Sequence, residues 1–150
     1  MAKDMAVELK KLNIDCISVY PGVVRTERMI GIIDSGDWKK RSGLSTPLEY
    51  NESPIFTGRV IASLLLEEDR KNRNGKVTVI AEAARELGIK DISGITPPSI
   101  RSLKFLIPSI VYGKINNNDN IPKFLKYILN NIPDILLPMS FMEGGLPEEL

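Results

Sequence analysis

Residues Ile14-Asp15-Cys16-Ile17-Ser18-Val19-Tyr20 constrain the fold more than any other stretch, because an extended chain with this sequence is apolar on both sides. Side chains alternate along a strand, so Ile14, Cys16 and Tyr20 share one face and Ile17 and Val19 the other. Such a strand has to be covered twice, as happens in a parallel sheet. It runs directly into Pro21-Gly22-Val23-Val24-Arg25-Thr26-Glu27. Pro-Gly stops the strand and turns the backbone, and a hydroxyl residue follows. In open α/β folds ligands bind outside the carboxyl ends of the strands.

The neighbouring segments suit that setting. Ala2, Met5, Ala6, Leu9 and Leu12 recur at helical spacing and predict a helix over 1–12. No Ser, Thr, Asp or Asn precedes it, so its first amides have no side-chain cap. Pro54 after Ser53, with the stripe Val60, Ile61, Leu64 and Leu65, predicts an amphipathic helix over 54–67. Lys76-Val77-Thr78-Val79-Ile80, entered from Asn74-Gly75, predicts a second strand, and 82–87 a short helix ended by Gly88. Strand, helix and strand make one right-handed crossover of a parallel sheet. Two strands cannot cover both faces and pair both edges, and the chain supplies no further ones. The expectation is therefore a part of a larger domain.

Composition removes several function classes. The 150 residues carry a net charge of +1 with acidic and basic residues mixed, which leaves no clustered basic footprint for nucleic acid. There is no histidine, so Ser-His-Asp and Cys-His catalysis within the chain are excluded and the commonest metal ligand is missing. The single cysteine, Cys16, excludes an internal disulfide and reads as a small core residue. Met1-Ala2-Lys3-Asp4 is too charged for a signal peptide. No run approaches the roughly 20 apolar residues of a spanning helix.

Two segments lack a clear strand or helix period. Residues 28–52 hold Gly31, Gly36, Gly43, Pro47 and few periodic apolar positions, and read as a long loop, functional or mobile, in which Trp38 packs a lid onto the domain or stacks on a substrate. From Pro97-Pro98 onward the character changes. Apolar stretches at 103–107, 110–112 and 124–137 are divided by Pro108, Pro122, Pro133 and Pro138 into short helices. Two readings stand side by side. One is a tail packed on the domain or on a second subunit in a homodimer. The other is a non-catalytic remnant that binds a partner or a membrane surface through 103–138, in the latter case with Lys104, Lys114, Lys123 and Lys126 near anionic head groups.

Asp4-Met5-Ala6-Val7-Glu8-Leu9, the strand, and Pro21-Gly22-Val23-Val24-Arg25-Thr26 resemble the sixth-strand region and Pro-Gly motif of the short-chain dehydrogenase/reductases. Glu52-Ser53-Pro54 with Thr57-Gly58-Arg59-Val60 resembles the helix start after the lid in one subgroup of that family. Gly75-Lys76-Val77, Ala84-Arg85-Glu86-Leu87-Gly88 and Asp91-Ile92-Ser93-Gly94 resemble its last strand and the turn after it. Ile100-Arg101-Ser102-Leu103 resembles the start of a C-terminal extension. The likeness covers residues 1 to about 108.

The resemblance implies an α/β fold: the C-terminal portion of a Rossmann-type doubly wound parallel sheet over 1–96, plus a helical C-terminal extension over 97–150. It implies NAD or NADP as cofactor and a small-molecule carbonyl or alcohol as substrate of the full-length protein. Pro21 and Gly22 correspond to the turn beside the nicotinamide. Val24 corresponds to the residue whose backbone meets the carboxamide, and Thr26 to the hydroxyl residue near carboxamide and pyrophosphate. No residue corresponds to a catalytic position. Tyr20, Tyr50, Tyr112 and Tyr127 have no lysine four positions on, and no Gly-rich phosphate loop is present in 1–150. The expectation is that these parts are encoded upstream of Met1, that 1–150 alone is inactive, and that the protein is intracellular, in the cytoplasm or on the cytoplasmic face of a membrane such as the endoplasmic reticulum.

Overall fold

The computed structural model describes residues 1–47, 50–66, 68–115 and 121–139. The chain is α/β, with a two-stranded parallel sheet and seven α-helices among the described residues. It divides into two compact units: Met1–Val24 with Glu52–Pro97, and Arg25–Asn51 with Pro98–Leu150.

The first unit starts with α1 (Ala2–Leu9), which has no side-chain cap, followed by a 3-10 turn at Lys10–Leu12. Asn13 adopts the left-handed conformation and Ile14 donates its amide to the Leu9 carbonyl at 3.3 Å. Ile14 thus belongs to the helix ending rather than to the strand. Cys16 is also taken up outside the ladder: Asn74 Oδ1 accepts from its amide at 2.8 Å and its carbonyl accepts from Gly75 at 2.7 Å. This is why β1 (Ser18–Tyr20) is shorter than the apolar run. Cys16 itself is half-buried.

β1 pairs in parallel with β2 (Val77–Val79), in the register Ser18 with Val77 and Tyr20 with Val79. The crossover between them is α4 (Pro54–Leu66). Ser53 starts it, its hydroxyl accepting from the Phe56 amide at 3.0 Å, with Pro54 in the first turn where no amide is needed. α5 (Ile80–Glu86) follows β2 without a loop and ends at Leu87. Gly88, at a φ of 67°, closes it, and Ile89 donates back to the Ala84 carbonyl at 2.8 Å.

The core lies where α4 meets α5: Phe56, Val60 and Leu64 against Ile80, Ala83 and Ala84, flanked by Ile61, Leu87 and Ile89. Leu65, assigned to the buried stripe by spacing, is exposed, and Phe56 takes the central place. Around β1 the cover is thin. Ile14, Val19, Tyr20 and Val77 are exposed, and a cavity of about 570 Å³ beside β1 is lined by Ile17, Val19, Ile61, Leu64 and Leu65.

In the second unit the long-loop reading of 28–52 fails. α2 (Glu27–Asp34) and α3 (Asp37–Ser42) occupy much of it. Thr26 caps α2, its Oγ1 accepting from the Met29 amide at 3.2 Å. Gly36 and Gly43, both at positive φ, mark helix ends rather than a loop interior. Of these three glycines Gly31 alone lies within a helix, a placement that costs about 1 kcal/mol relative to alanine.

α6 (Leu103–Lys114) is capped by Ser102 and continues through Pro108, so that proline does not divide it. α7 (Lys123–Asn130) follows Pro122. Beyond it the chain is extended. Leu103 donates to the Ile135 carbonyl and Leu137 to the Arg101 carbonyl, at 2.9 and 3.0 Å, around an antiparallel bridge between Ser102 and Leu136. Two helices and this extended return therefore make up the described part of 98–139. Among the described residues no helix is long and apolar enough to cross a membrane.

Gly113 in α6 approaches the Gly43 turn so closely that an added Cβ would overlap the Gly43 carbonyl oxygen. Because the obstacle is backbone, Gly113→Ala should lower stability by about 1–3 kcal/mol. The urea midpoint of the variant measures this, and an unchanged midpoint would contradict the close approach.

Candidate functional site

The turn at the carboxyl end of β1 is held by Glu52, one of two neighbouring buried acids that sequence spacing does not single out. Tyr20 ends the strand, and Pro21 and Gly22 turn the chain. Glu52, 1% exposed, lies 30 residues further on. Its Oε1 accepts from the Gly22 amide at 3.0 Å, and its Oε2 accepts from the Thr57 hydroxyl at 3.1 Å. Its own amide donates to the Val23 carbonyl at 2.8 Å, within an isolated parallel bridge between Val24 and Glu52. One residue thereby touches three consecutive positions of the turn.

Asp91 supports the next residue. It accepts from the Ser53 amide at 3.1 Å, from the Ser53 hydroxyl in a short contact, and from the Ile92 amide at 2.6 Å. Its own turn is closed by Asp91 donating to Ile95 and Gly94 donating back to Asp91. The network therefore joins the Pro-Gly turn, the start of α4 and the turn at 91–95.

Burial pushes the Glu52 carboxyl above its ordinary value of 4.5, and the Asp91 charge adds to the rise, while the Gly22 amide and Thr57 hydroxyl oppose it. A raised acid pKa means that the folded chain binds the proton more tightly than the unfolded one. This contribution to stability is fully present below 4.5 and is lost as pH rises through the folded value. Glu52→Gln, which keeps the shape and removes the charge, should therefore have a higher urea midpoint than the parent chain at pH 7. The difference should disappear below pH 4.5. A parent chain more stable than the variant at pH 7 would reverse the sign.

The residues that the resemblance assigned to a cofactor fall on both sides of a unit boundary. Pro21, Gly22 and Val24 belong to the first unit and Thr26 to the second. Pro21 is exposed, and Gly22 and Val24 are half-buried. The bond to Glu52 is made by the Val23 carbonyl and leaves Val24's own amide and carbonyl outside it. Thr26 is exposed, and its hydroxyl accepts from Met29 while its proton remains available. The missed residues are Glu52, Ser53, Thr57 and Asp91. Their neighbours in Asn51-Glu52-Ser53-Pro54 and Lys90-Asp91-Ile92-Ser93 are as polar as ordinary surface, so no local signal marks the two acids for burial. Acids there are rarely buried unless they hold something.

No family model matches the chain. It is similar to dehydrogenase/reductase SDR family member 1 of Mus musculus, 28% identical over 116 residues, which cover 73% of this chain and 36% of the relative. It is also similar to the Homo sapiens protein of the same name, 26% identical over 102 residues, covering 63% of this chain and 31% of the relative. That name is the subgroup whose stretches the sequence resembles. The chain spans about a third of the length of these relatives. With a strand–helix–strand crossover whose first strand ends at the Pro-Gly turn, the two matches support a relationship of this chain to the short-chain dehydrogenase/reductase family, to the C-terminal part of its members.

Proposed function

We propose that residues 1–150 carry one wall of the nicotinamide site of an NAD(P)-dependent oxidoreductase, and that the complete site needs further chain. The observation that carries this reading is the buried Glu52 strap beneath Pro21–Gly22, at the carboxyl end of a parallel strand. That is where dinucleotides bind in open α/β sheets. When bound, NAD(P) gives or takes a hydride at the nicotinamide, and the substrate is a carbonyl compound or alcohol. This chain's residues bind and orient: Gly22 lets backbone approach a flat ring, Val24 offers an amide and a carbonyl, and Thr26 offers a hydroxyl proton. Each of these groups, taken by itself, has the chemistry that the carboxamide end of the cofactor calls for. In the same reading, β1 and β2 are two strands of a doubly wound sheet. The thin cover over Ile14, Val19 and Tyr20 favours further strands and helices beside β1.

The test is titration of the purified chain with NADH and NADPH. Binding should be millimolar or weaker, with no reductase activity. In a ¹H–¹⁵N spectrum the shifts at high ligand should gather at the amides of residues 20–26. A micromolar Kd would overturn the proposal that the site is incomplete, and shifts gathered elsewhere would overturn the nicotinamide assignment.

A second reading, a membrane-surface contact, is favoured by α7. Phe124, Tyr127 and Ile128 lie on one helical face, with Phe124 74% and Tyr127 69% exposed. Lys123 and Lys126 flank them and are not buried. This helix would rest on anionic lipid, its lysines at the head groups. The chain should float with anionic liposomes at low salt and lose this on Phe124→Ser with Tyr127→Ser. Absence of flotation at low salt, or self-association through these residues in sedimentation, would remove the reading.

A further inference from the structure

We infer that Glu52 is a positioning residue, whose buried carboxyl sets the place of the Pro21–Gly22 turn at the end of β1 and ties that turn to the first helical turn of α4. The inference deepens the nicotinamide reading and rests on it for the consequence to the ligand. Its geometric basis does not: the Gly22 amide, the Val23 carbonyl and the Thr57 hydroxyl all meet one residue.

The chemistry of the site argues for more than packing. Among the described residues no cation pairs with Glu52, and the charged group that acts on it is a second acid, Asp91. A buried carboxyl so placed is costly to ionise, and an apolar side chain of the same size would fill the space at lower cost. A carboxyl does something an apolar chain cannot. It supplies two separate acceptors, one for a turn amide and one for a helix hydroxyl, and so locks two elements at a fixed distance. The turn amide is the one that would otherwise be free where strand pairing stops. Protonation weakens the bond, since an ionised oxygen accepts more strongly than a neutral one. The wall beside the ligand is therefore tighter when Glu52 is charged and looser when it is not. The groups that face the carboxyl are the Gly22 amide, the Thr57 hydroxyl and Asp91, the last held by Ser53 and Ile92.

The experiment follows the Gly22 amide in ¹H–¹⁵N spectra of the 150-residue chain from pH 4 to pH 8, for the parent, Glu52→Gln, Glu52→Leu and Thr57→Val. The Gly22 amide should move with a midpoint above 4.5. Glu52→Gln should keep the dispersion of the folded spectrum and abolish that titration. Thr57→Val, which removes a bond that favours the charged form, should raise the midpoint further. A Gly22 amide that does not titrate in the parent chain, or titrates unchanged in Glu52→Gln, overturns the inference.

Ligand supplies the second arm. NADPH-induced shifts at residues 20–26 should survive in Glu52→Gln, which retains an acceptor, and fall about tenfold in apparent affinity in Glu52→Leu. If Gly22 titrates as stated but NADPH moves none of these amides in the parent chain, the nicotinamide reading falls and the strap stands. Equal NADPH affinity in Glu52→Leu and the parent overturns the positioning role.

Discussion

Phe56→Ala should destabilise the chain by about 3–5 kcal/mol. Phe56 is 0% exposed and sits where α4 packs on α5, against Val60, Leu64, Ile80, Ala83 and Ala84. Two of those neighbours are alanines, whose methyl groups cannot reach into a vacated ring volume. The cavity would therefore stay largely open, and the loss adds transfer and cavity contributions. A domain has only about 5–15 kcal/mol of stability in total, so the variant should be close to unfolding at 37 °C. Urea titration with an unchanged slope reads the loss directly. Ile55→Ala is the control, since Ile55 is one residue away and exposed, and it should change stability by no more than about 0.5 kcal/mol. A loss below about 1 kcal/mol for Phe56→Ala would show that the core is centred elsewhere.

Removal of Asp91 is the second large effect. Asp91→Ala takes an acceptor away from the Ser53 amide, the Ser53 hydroxyl and the Ile92 amide at once. Ser53 is itself buried, and its hydroxyl also caps α4 through Phe56. Hydrogen bonds to a charged group are worth about 1.5–3 kcal/mol each, and a buried donor left without a partner costs a similar amount. A loss of about 3 kcal/mol or more is expected, and Asp91→Asn, which keeps one acceptor, should recover part of it. The effect should extend to the neighbouring Glu52: without the Asp91 charge its carboxyl ionises more readily, so the midpoint at which the Gly22 amide titrates should fall in Asp91→Ala. A variant within about 1 kcal/mol of the parent, with the Gly22 titration unchanged, would separate the two acids and contradict the network.

Local signals located the elements of the first unit well. Ser53 and Pro54 mark the start of α4 because a hydroxyl cap followed by proline satisfies a helix's first amides wherever it occurs. Gly88 marks the end of α5 for a comparable backbone reason. The strand bounds were less legible. The apolar run starts at Ile14, but Ile14 and Cys16 spend their backbone groups on Leu9, Asn74 and Gly75, and a hydropathy pattern carries no record of backbone partners. Glycine spacing over 28–52 suggests a loop, whereas Thr26 and the two positive-φ glycines mark the ends of short helices. Proline's missing amide predicts a break at Pro108, and α6 nevertheless runs through it. Proline's cost of about 3 kcal/mol is a local tendency, and the buried Phe105, Leu106 and Ser109 around it oppose that tendency.

The sequence by itself determined the strand–helix–strand crossover, the Pro-Gly end of β1 and the likeness to one family, because caps, turns and apolar periods act over three or four residues. Only the tertiary structure decided what lies under the turn. Glu52 and Gly22 are 30 residues apart and Ser53 and Asp91 are 38 apart. No local period links such pairs. Folding α4 between β1 and β2 brings Glu52 to the end of β1 and Asp91 to the start of α4, where burial raises the cost of the Glu52 charge and makes each available donor count.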